Sequence, residues 1–455
     1  MSQRDDIKFC ASRRRFLTLV AAATGLGADT VTASFAQTKA PGEAENLGKG
    51  QIEPFWGKYQ GGIVTPMQKH TYFAAFDLVA SKRDDVVALL RAWTAASARM
   101  TSGQPAQPLE GTLEAVAVSD DADALSRSDK SYDLPEPSVL AADTGEAVGL
   151  RPARLTLTFG FGAGLFTKDG KDRYGLASKR PQALVDMPKF VGDQLVEGQT
   201  GGDLSMQACA DDPQVAFHAV RQLARLASHV AHIRWTQTGF IPNSNAGETP
   251  RNLMGFKDGT NNPPVSNPEA MAAVVWVGDE GPKWMRNGSY VVARRIRIAL
   301  EHWDRMRVAF QEQTVGRHKY SGAPLGKKNE FDPLDLDAAD KDGNPVIPEN
   351  SHVRLASAAN NEGAQIFRRP YSYNEGVNFT AERWPPWRQG LEYDAGLFFV
   401  CYQRDPRTGF IKIFEKMSKL DMMNQFVTHV GGGLFACPGG VPKGGYVGQS
   451  LLEDV

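Results

Sequence analysis

The sequence predicts an α+β fold made of two duplicated halves, each an antiparallel sheet flanked by helices. Two observations carry that expectation. A strand-like apolar run followed by a segment of helical periodicity occurs early in the chain, and the same order returns in the second half. At 455 residues the chain also has length for two or three ordinary domains or one large duplicated unit with ample core.

The chain starts with a segment set apart from that pattern. Arg13-Arg14-Arg15-Phe16-Leu17 precedes a mild, alanine-rich apolar run over 18–28 and the small-residue end Ser34-Phe35-Ala36. A basic start, a short apolar stretch and a small-residue cleavage site, in that order, predict a twin-arginine export signal over residues 1–36. That route carries folded proteins, so the expected destination is the periplasm, with any cofactor inserted before export. Residues 37–60 are rich in Gly, Pro and charge and read as a linker.

Tyr72 to Leu78 then reads as a strand and Ser81-Lys82-Arg83-Asp84 as a capped helix start, with Val86, Leu89, Leu90 and Trp93 at helical spacing. Leu155 to Phe161 is strand-like, followed by a helix expected over 215–230. In the second half Tyr290 to Leu300 is strand-like and the stretch from Trp303 through Met306 to Phe310 helical. Gly396 to Tyr402 is a further strand, followed by a helix expected over 420–427. The two halves are placed at 61–250 and 251–455. Residues 321–350 form a Pro-, Asp- and Gly-rich connection of a length that usually serves function, and it leads directly into His352.

With 51 basic and 52 acidic residues the net charge is -1, which leaves no footprint for nucleic acid or an anionic membrane. No segment after the leader reaches the roughly 20 apolar residues of a membrane helix. Loss of residues 1–36 removes Cys10 and leaves Cys209, Cys401 and Cys437, an odd number without a CxxC pair, so neither a disulfide scaffold nor a cysteine-rich metal site is expected. None of the eight histidines forms a tight zinc-binding spacing; His229 and His232, three apart, come nearest.

Three separated pieces stand out chemically. Gly255-Phe256-Lys257-Asp258-Gly259-Thr260 places a lone carboxylate on a glycine-bracketed turn, a sequence that by itself reads as an ordinary surface turn. About a hundred residues on come Ser351-His352-Val353-Arg354-Leu355-Ala356 and then Arg368-Arg369. An acid, an imidazole and a guanidinium together are a set suited to peroxide chemistry.

These pieces and their neighbours, GFKDGTNNP (255–263), RRIRIALEHWDR (294–305), SGAPLG (321–326), SHVRLA (351–356), FRRPYSY (367–373), GLFFVCYQRDP (396–406) and GGGLFACPGG (431–440), resemble the dye-decolorizing peroxidase (DyP) family, most of all its exported deferrochelatase/peroxidase (EfeB-type) branch. They cover most of the second half in the family's order. The resemblance implies duplicated ferredoxin-like units of the dimeric α/β-barrel type and one haem b per chain. It implies His352 as the proximal iron ligand, Asp258 as the distal acid and Arg368 as the distal arginine. Gly259, Thr260 and Asn261 would lie along the porphyrin, as would Ser357, Ala358 and Ala359, where family members often carry Asn-Pro-Arg-like residues instead.

Leu397 and Phe398 are expected to wall the distal side, Asp405 to accept the proximal imidazole's N–H, and Arg369 to contact a propionate. Trp384, Trp387, Tyr371 and Tyr373 are candidates to relay electrons to bulky donors. An ordinary aspartate titrates near about 3.9, so a proton shuttle of this kind implies an acidic optimum. Two functions follow from the resemblance: peroxidase action on H2O2 with dyes, phenols or similar small-molecule donors, or release of iron from free haem with the tetrapyrrole intact, beside an iron-uptake system. A homodimer is the family expectation, and a non-catalytic haem carrier would leave Asp258 and Arg368 without a role.

Overall fold

The computed structural model describes residues 52–108, 142–243, 247–381 and 389–453, so the expected leader, its cleavage point and most of the linker lie outside the described residues, as do Trp384 and Trp387. Nine strands are described: β1 (His70–Leu78), β2 (Thr156–Phe161), β3 (Leu204–Ala210), β4 (Ala231–Phe240), β5 (Ser289–Ile298), β6 (Phe367–Arg368), β7 (Tyr371–Ala381), β8 (Gln389–Gln403) and β9 (Val427–Cys437). All pairings between them are antiparallel. The first four run β4-β1-β3-β2, and the later ones run β9-β5-β8-β7. Each order is that of a ferredoxin-like unit, in which two helical crossovers place the first and third strands side by side at the centre. The duplication expected from the sequence is therefore present strand for strand.

Short contacts between the units, Phe161 with Ala436 and Phe240 with Ser372, join them into one closed sheet, and β6 adds to the edge of β8. Alternation then decides what each strand residue does. On β1, Phe73 and Ala75 face the barrel interior, where Phe73 packs against Trp235, Phe398 and Phe435 at ring-centroid distances of 5.1, 5.6 and 5.9 Å. Ala74, Phe76 and Leu78 face the other way, toward the helices.

The helices that cover the sheets are α1 (Arg83–Thr101), α2 (Pro213–Leu226), α3 (Val308–Val315), α4 (His352–Ala356) and α5 (Phe410–Leu420). α1 buries Val86, Leu89, Leu90 and Trp93 as its spacing predicts, but Lys82 stands at its N-cap and makes no side-chain cap, so the capped start is not realised. α2 is capped in full: Asp212 accepts from the backbone N–H groups of Gln214 and Val215, with Pro213 at the first helical position. Two expected helices move. The stretch 303–310 is broken between a short turn at Leu300–Trp303 and α3, and the helix expected over 420–427 lies at 410–420. Asp421 ends α5, and Val427 already opens β9.

Candidate active site

The site is built in the second half, between β5, β8 and β9 on one side and α4 and α5 on the other. Its lower wall begins with α4. Pro348 and Ser351 turn the end of the long connection into that helix, the Ser351 hydroxyl donating to the Pro348 carbonyl, and the first helical residue is His352. Arg354 anchors the same turn to the connection by donating to the carbonyls of Leu336 and Ile347.

His352 Nδ1 lies 2.7 Å from Asp421 Oδ2. A carboxylate can only accept, so Nδ1 carries a proton, and in the neutral imidazole Nε2 is the nitrogen with the free lone pair. The other carboxylate oxygen of Asp421 accepts from the Met423 N–H at 2.8 Å, which fixes its orientation as the chain leaves α5. Burial works to lower the imidazole's pKa, but the Asp421 carboxylate more than offsets it and the net shift is upward. The His352 side chain keeps 33% of its surface accessible although it is deep in the fold, and that surface opens into a cavity of about 230 Å³.

A second polar group of the cavity is on the turn singled out from the sequence. Gly255 and Gly259 both have positive φ, +84° and +121°, a region closed to most side chains. Between them the turn projects Asp258, whose Oδ1 accepts from Arg368 Nη1 at 3.0 Å. Arg368 arrives on β6, and its backbone is clamped on both sides by Asn262: the Asn262 side chain accepts from the Arg368 N–H and donates to the Arg368 carbonyl. Asp258 and Arg368 thus hold each other from elements 110 residues apart.

His352, Asp258, Arg368, Gly259, Thr260, Asn261 and Ala358 all line this cavity; Ser357 and Ala359 do not. The Ser357 hydroxyl instead donates to the Arg354 carbonyl and ends α4, while Ala359 opens a separate short turn. On β8, Leu397 and Phe399 line the cavity and Phe398 points into the barrel, as period-two alternation requires. Asp405 is held by Arg407, and it is Asp421 that pairs with His352. Arg369 is 1% exposed and binds Gln68 and the Thr65 carbonyl, which pins the segment before β1 rather than facing the cavity. Tyr371 and Tyr373 are fully buried and present no surface to a bulky donor.

A second cavity, of about 330 Å³, shares Asn252, Asp258, Gly259, Arg368 and Leu397 with the first and is lined beyond them by Thr249, Arg251 and Ser372. The acid–arginine pair therefore stands where the two cavities meet.

Residues 60–241 match the family description Dyp-type peroxidase, N-terminal, and residues 249–442 match Dyp-type peroxidase, C-terminal. The chain belongs to the Dyp-type peroxidase family. Its relatives include a dye-decolorizing peroxidase of Thermobifida fusca, 37% identical over 409 residues that make up 87% of this chain and 84% of the relative. A deferrochelatase of Escherichia coli (strain K12) is 34% identical across 97% of both chains. Among solved structures, the oxyferrous/water mixed complex of DtpA from Streptomyces lividans superposes with a TM-score of 0.74 at 39% identity, covering 88% of this chain and 98% of that one. The chain is thus a DyP-type haem peroxidase, an oxidoreductase of the α+β DyP fold. Among the described residues no helix is long and apolar enough to cross a membrane.

Proposed function

We propose that this DyP-type chain holds one haem b on His352 and uses Asp258 and Arg368 to drive heterolysis of H2O2, oxidising dyes, phenols or similar small donors. One observation carries the reading: the His352–Asp421 pair and the Asp258–Arg368 pair open onto the same cavity. The donor set suits an iron porphyrin. A bare imidazole nitrogen faces a chamber walled by Ile298, Leu397, Phe399, Phe410 and Phe414, and an acid with a guanidinium shares that chamber.

When bound, the haem supplies the redox-active iron at which the peroxide O–O bond is cleaved. The chain's own residues do the rest. Peroxide entering past Thr249 and Arg251 meets Asp258, whose Oδ1 is already engaged by Arg368. Oδ2 is the oxygen left to take the proton from the near peroxide oxygen and return it to the far one. Arg368 cannot lose its proton, so it stabilises negative charge growing on the leaving oxygen. Asp421 makes His352 more basic and keeps its Nε2 aimed at the chamber.

The test is to reconstitute the chain with haem and record its absorption spectrum and its reaction with H2O2. His352→Ala is expected to lose the five-coordinate ferric spectrum. Asp258→Asn is expected to keep the haem and lose peroxide reactivity. Unchanged haem binding by His352→Ala sinks the reading at its base.

The second reading, iron release from haem with the tetrapyrrole intact, is favoured by the deferrochelatase that aligns over 97% of this chain. Both readings use His352, so dye turnover with H2O2 must be set beside iron released from added haem. The reading includes export over residues 1–36 to the periplasm, a linker at 37–60, halves at 61–250 and 251–455, a homodimer, and for the second activity an iron-uptake partner.

A further inference from the structure

Away from the cavity, the first half gathers buried acceptors that lack donors. α2 carries His218 and Gln222 one turn apart on its buried face; His218 is 5% exposed and Gln222 is fully buried. Both meet the segment 143–146, which leads toward β2. His218 Nε2 lies 3.4 Å from Asp143 Oδ2, and Nδ1 lies 3.3 Å from Glu146 Oε1. Gln222 Nε2 donates to the Thr144 hydroxyl, which in turn donates to Glu146 Oε2. Among the described residues His218 Nδ1, Glu146 Oε1 and Gln222 Oε1 are buried atoms without a hydrogen bond.

The surroundings decide what these atoms lack. Asp143 is fixed, its Oδ1 accepting from the Gly145 N–H at 2.7 Å and its Oδ2 from the Ala106 N–H at 2.8 Å. With the His218 proton on Nε2, facing Asp143, Nδ1 presents a lone pair beside Glu146 Oε1. A carboxylate behind an imidazole is the arrangement that orients a metal-binding histidine. Burial opposes charge on Glu146, but the Thr144 hydroxyl and His218 outweigh it and hold the carboxyl down to about 2, so it is ionised. Arg221 Nη1 approaches Glu146 Oε1 at 3.2 Å, yet that side chain is half exposed and can swing aside. Donor atoms around a tetrahedral ion with bonds of about 2.0–2.2 Å stand about 3.3–3.6 Å apart, the spacing seen between Nδ1 and Oε1. One ring nitrogen and one oxygen from each carboxylate lie within 4.8 Å of one another.

We infer that the first half holds a divalent cation of the Zn2+ type between His218 Nδ1, Glu146 Oε1 and Gln222 Oε1, with Asp143 orienting the imidazole. Imidazole with oxygen donors and no thiolate suits such an ion. It fastens the segment 143–146 onto α2, and Glu146, with 18% of its side chain accessible, is the side from which it enters. None of these residues lines the cavity that holds His352, so the site stands apart from the peroxide chemistry.

The experiment titrates Zn2+ into the full chain, with bound metal first removed by a chelator and haem then added. Calorimetry gives the affinity and thermal unfolding the midpoint. The wild type is expected to bind one tight Zn2+ and to unfold at a higher temperature as Zn2+ is raised. His218→Ala and Glu146→Gln should each weaken that ion by more than about 100-fold, and Asp143→Asn by about 10- to 100-fold. Glu146→Gln keeps the side chain's shape, so it carries the test if the alanine variant does not fold. His232→Ala, at an exposed histidine three residues from His229, should keep the tight ion. A tight ion kept by both His218→Ala and Glu146→Gln, or lost with His232→Ala, overturns the site. So does a wild type indifferent to Zn2+, which leaves His218 an imidazolium held between two carboxylates.

Discussion

The two ferredoxin-like halves share one strand order, yet one is packed solid where the other is hollow. In the first half rings fill the space between sheet and helices: Trp93 packs against Phe76 at 5.3 Å and Phe159 at 5.7 Å, and donates its indole N–H to the Leu223 carbonyl of α2. In the second half the corresponding face of the sheet, carrying Ile296, Ile298, Leu397, Phe399 and His429, borders the cavity instead. The difference lies in the crossovers. In the first half α1 lies directly against the sheet. In the second, β5 is followed by α3, the long connection and the one-turn α4, which brings an imidazole to the cavity, and the end of α5 supplies its carboxylate. Duplication supplies the frame, and function enters where one copy leaves its core unfilled.

The strongest way to break that comparison is to remove the chemistry from the hollow half and leave its shape. Asp258→Asn should slow the reaction with H2O2 by about 10²- to 10⁴-fold, and Arg368→Leu by about 10²- to 10³-fold, each with haem affinity close to wild type. Stopped-flow traces at saturating haem check this; a variant that loses haem along with activity would make these residues part of the frame.

The next effect tests the filled half. Trp93→Ala should cost about 3–5 kcal/mol in denaturant unfolding, since it empties a space that neighbours cannot collapse into. Phe414→Ala, at a wall that already borders a cavity, should cost the haem-free chain distinctly less. Equal losses would mean that the hollow half is as tightly packed as the other.

Asp421→Asn keeps the shape of the proximal pair and removes its charge. Haem affinity should fall about 10- to 100-fold and the iron's reduction potential should rise, because a neutral partner no longer makes His352 the stronger donor. An unchanged potential would leave Asp421 with only its capping bond to Met423.

These residues were unequally legible in the sequence. Asp258, His352 and Arg368 could be read because their types and order are distinctive, and Gly255 and Gly259 marked the turn that presents the acid. Asp421 could not: it lies 69 residues beyond His352 and looks locally like any residue closing a helix, whereas Asp405 sits inside a recognisable segment and drew the assignment. Arg317 lies in Arg317-His318-Lys319, where no local pattern singles it out, and only the fold shows it buried beside the cavity. Asn262 was visible as part of a motif, but its clamp on Arg368 is a contact across 106 residues. The helix α5 was mislocated although Phe410, Ile413, Phe414 and Met417 carry a helical period, and β9 was hidden by Gly431-Gly432-Gly433, which suggest a loop until their pairing with β5 is known. Local pattern gives elements and chemical types; which side chains meet across the barrel is decided by register.

The smallest effect probes the seam between the halves' two kinds of interior. His429 projects from β9 against Phe414, at 4.5 Å between rings, and its Nδ1 accepts from Arg294 Nε at 3.3 Å while Arg294 is itself held by Asp193. Arg294 is the charged group bonded to the ring, Asp193 reaches it only through Arg294, and among the described residues no carboxylate bonds the ring. Burial, with the Arg294 charge adding to it, holds the imidazole well below its usual range, so it stays neutral in the folded chain. The unfolded chain takes up a proton below about pH 6.5, and the folded chain does not. The unfolded state then binds more protons, so stability falls as pH drops through that value and holds above it. Between pH 7.5 and 5.5 this single group should remove about 1 kcal/mol, which His429→Gln should abolish. Denaturant midpoints of both proteins at the two pH values give the difference directly. Identical pH slopes would mean that His429 is protonated in place, and that burial beside Arg294 does not keep it neutral.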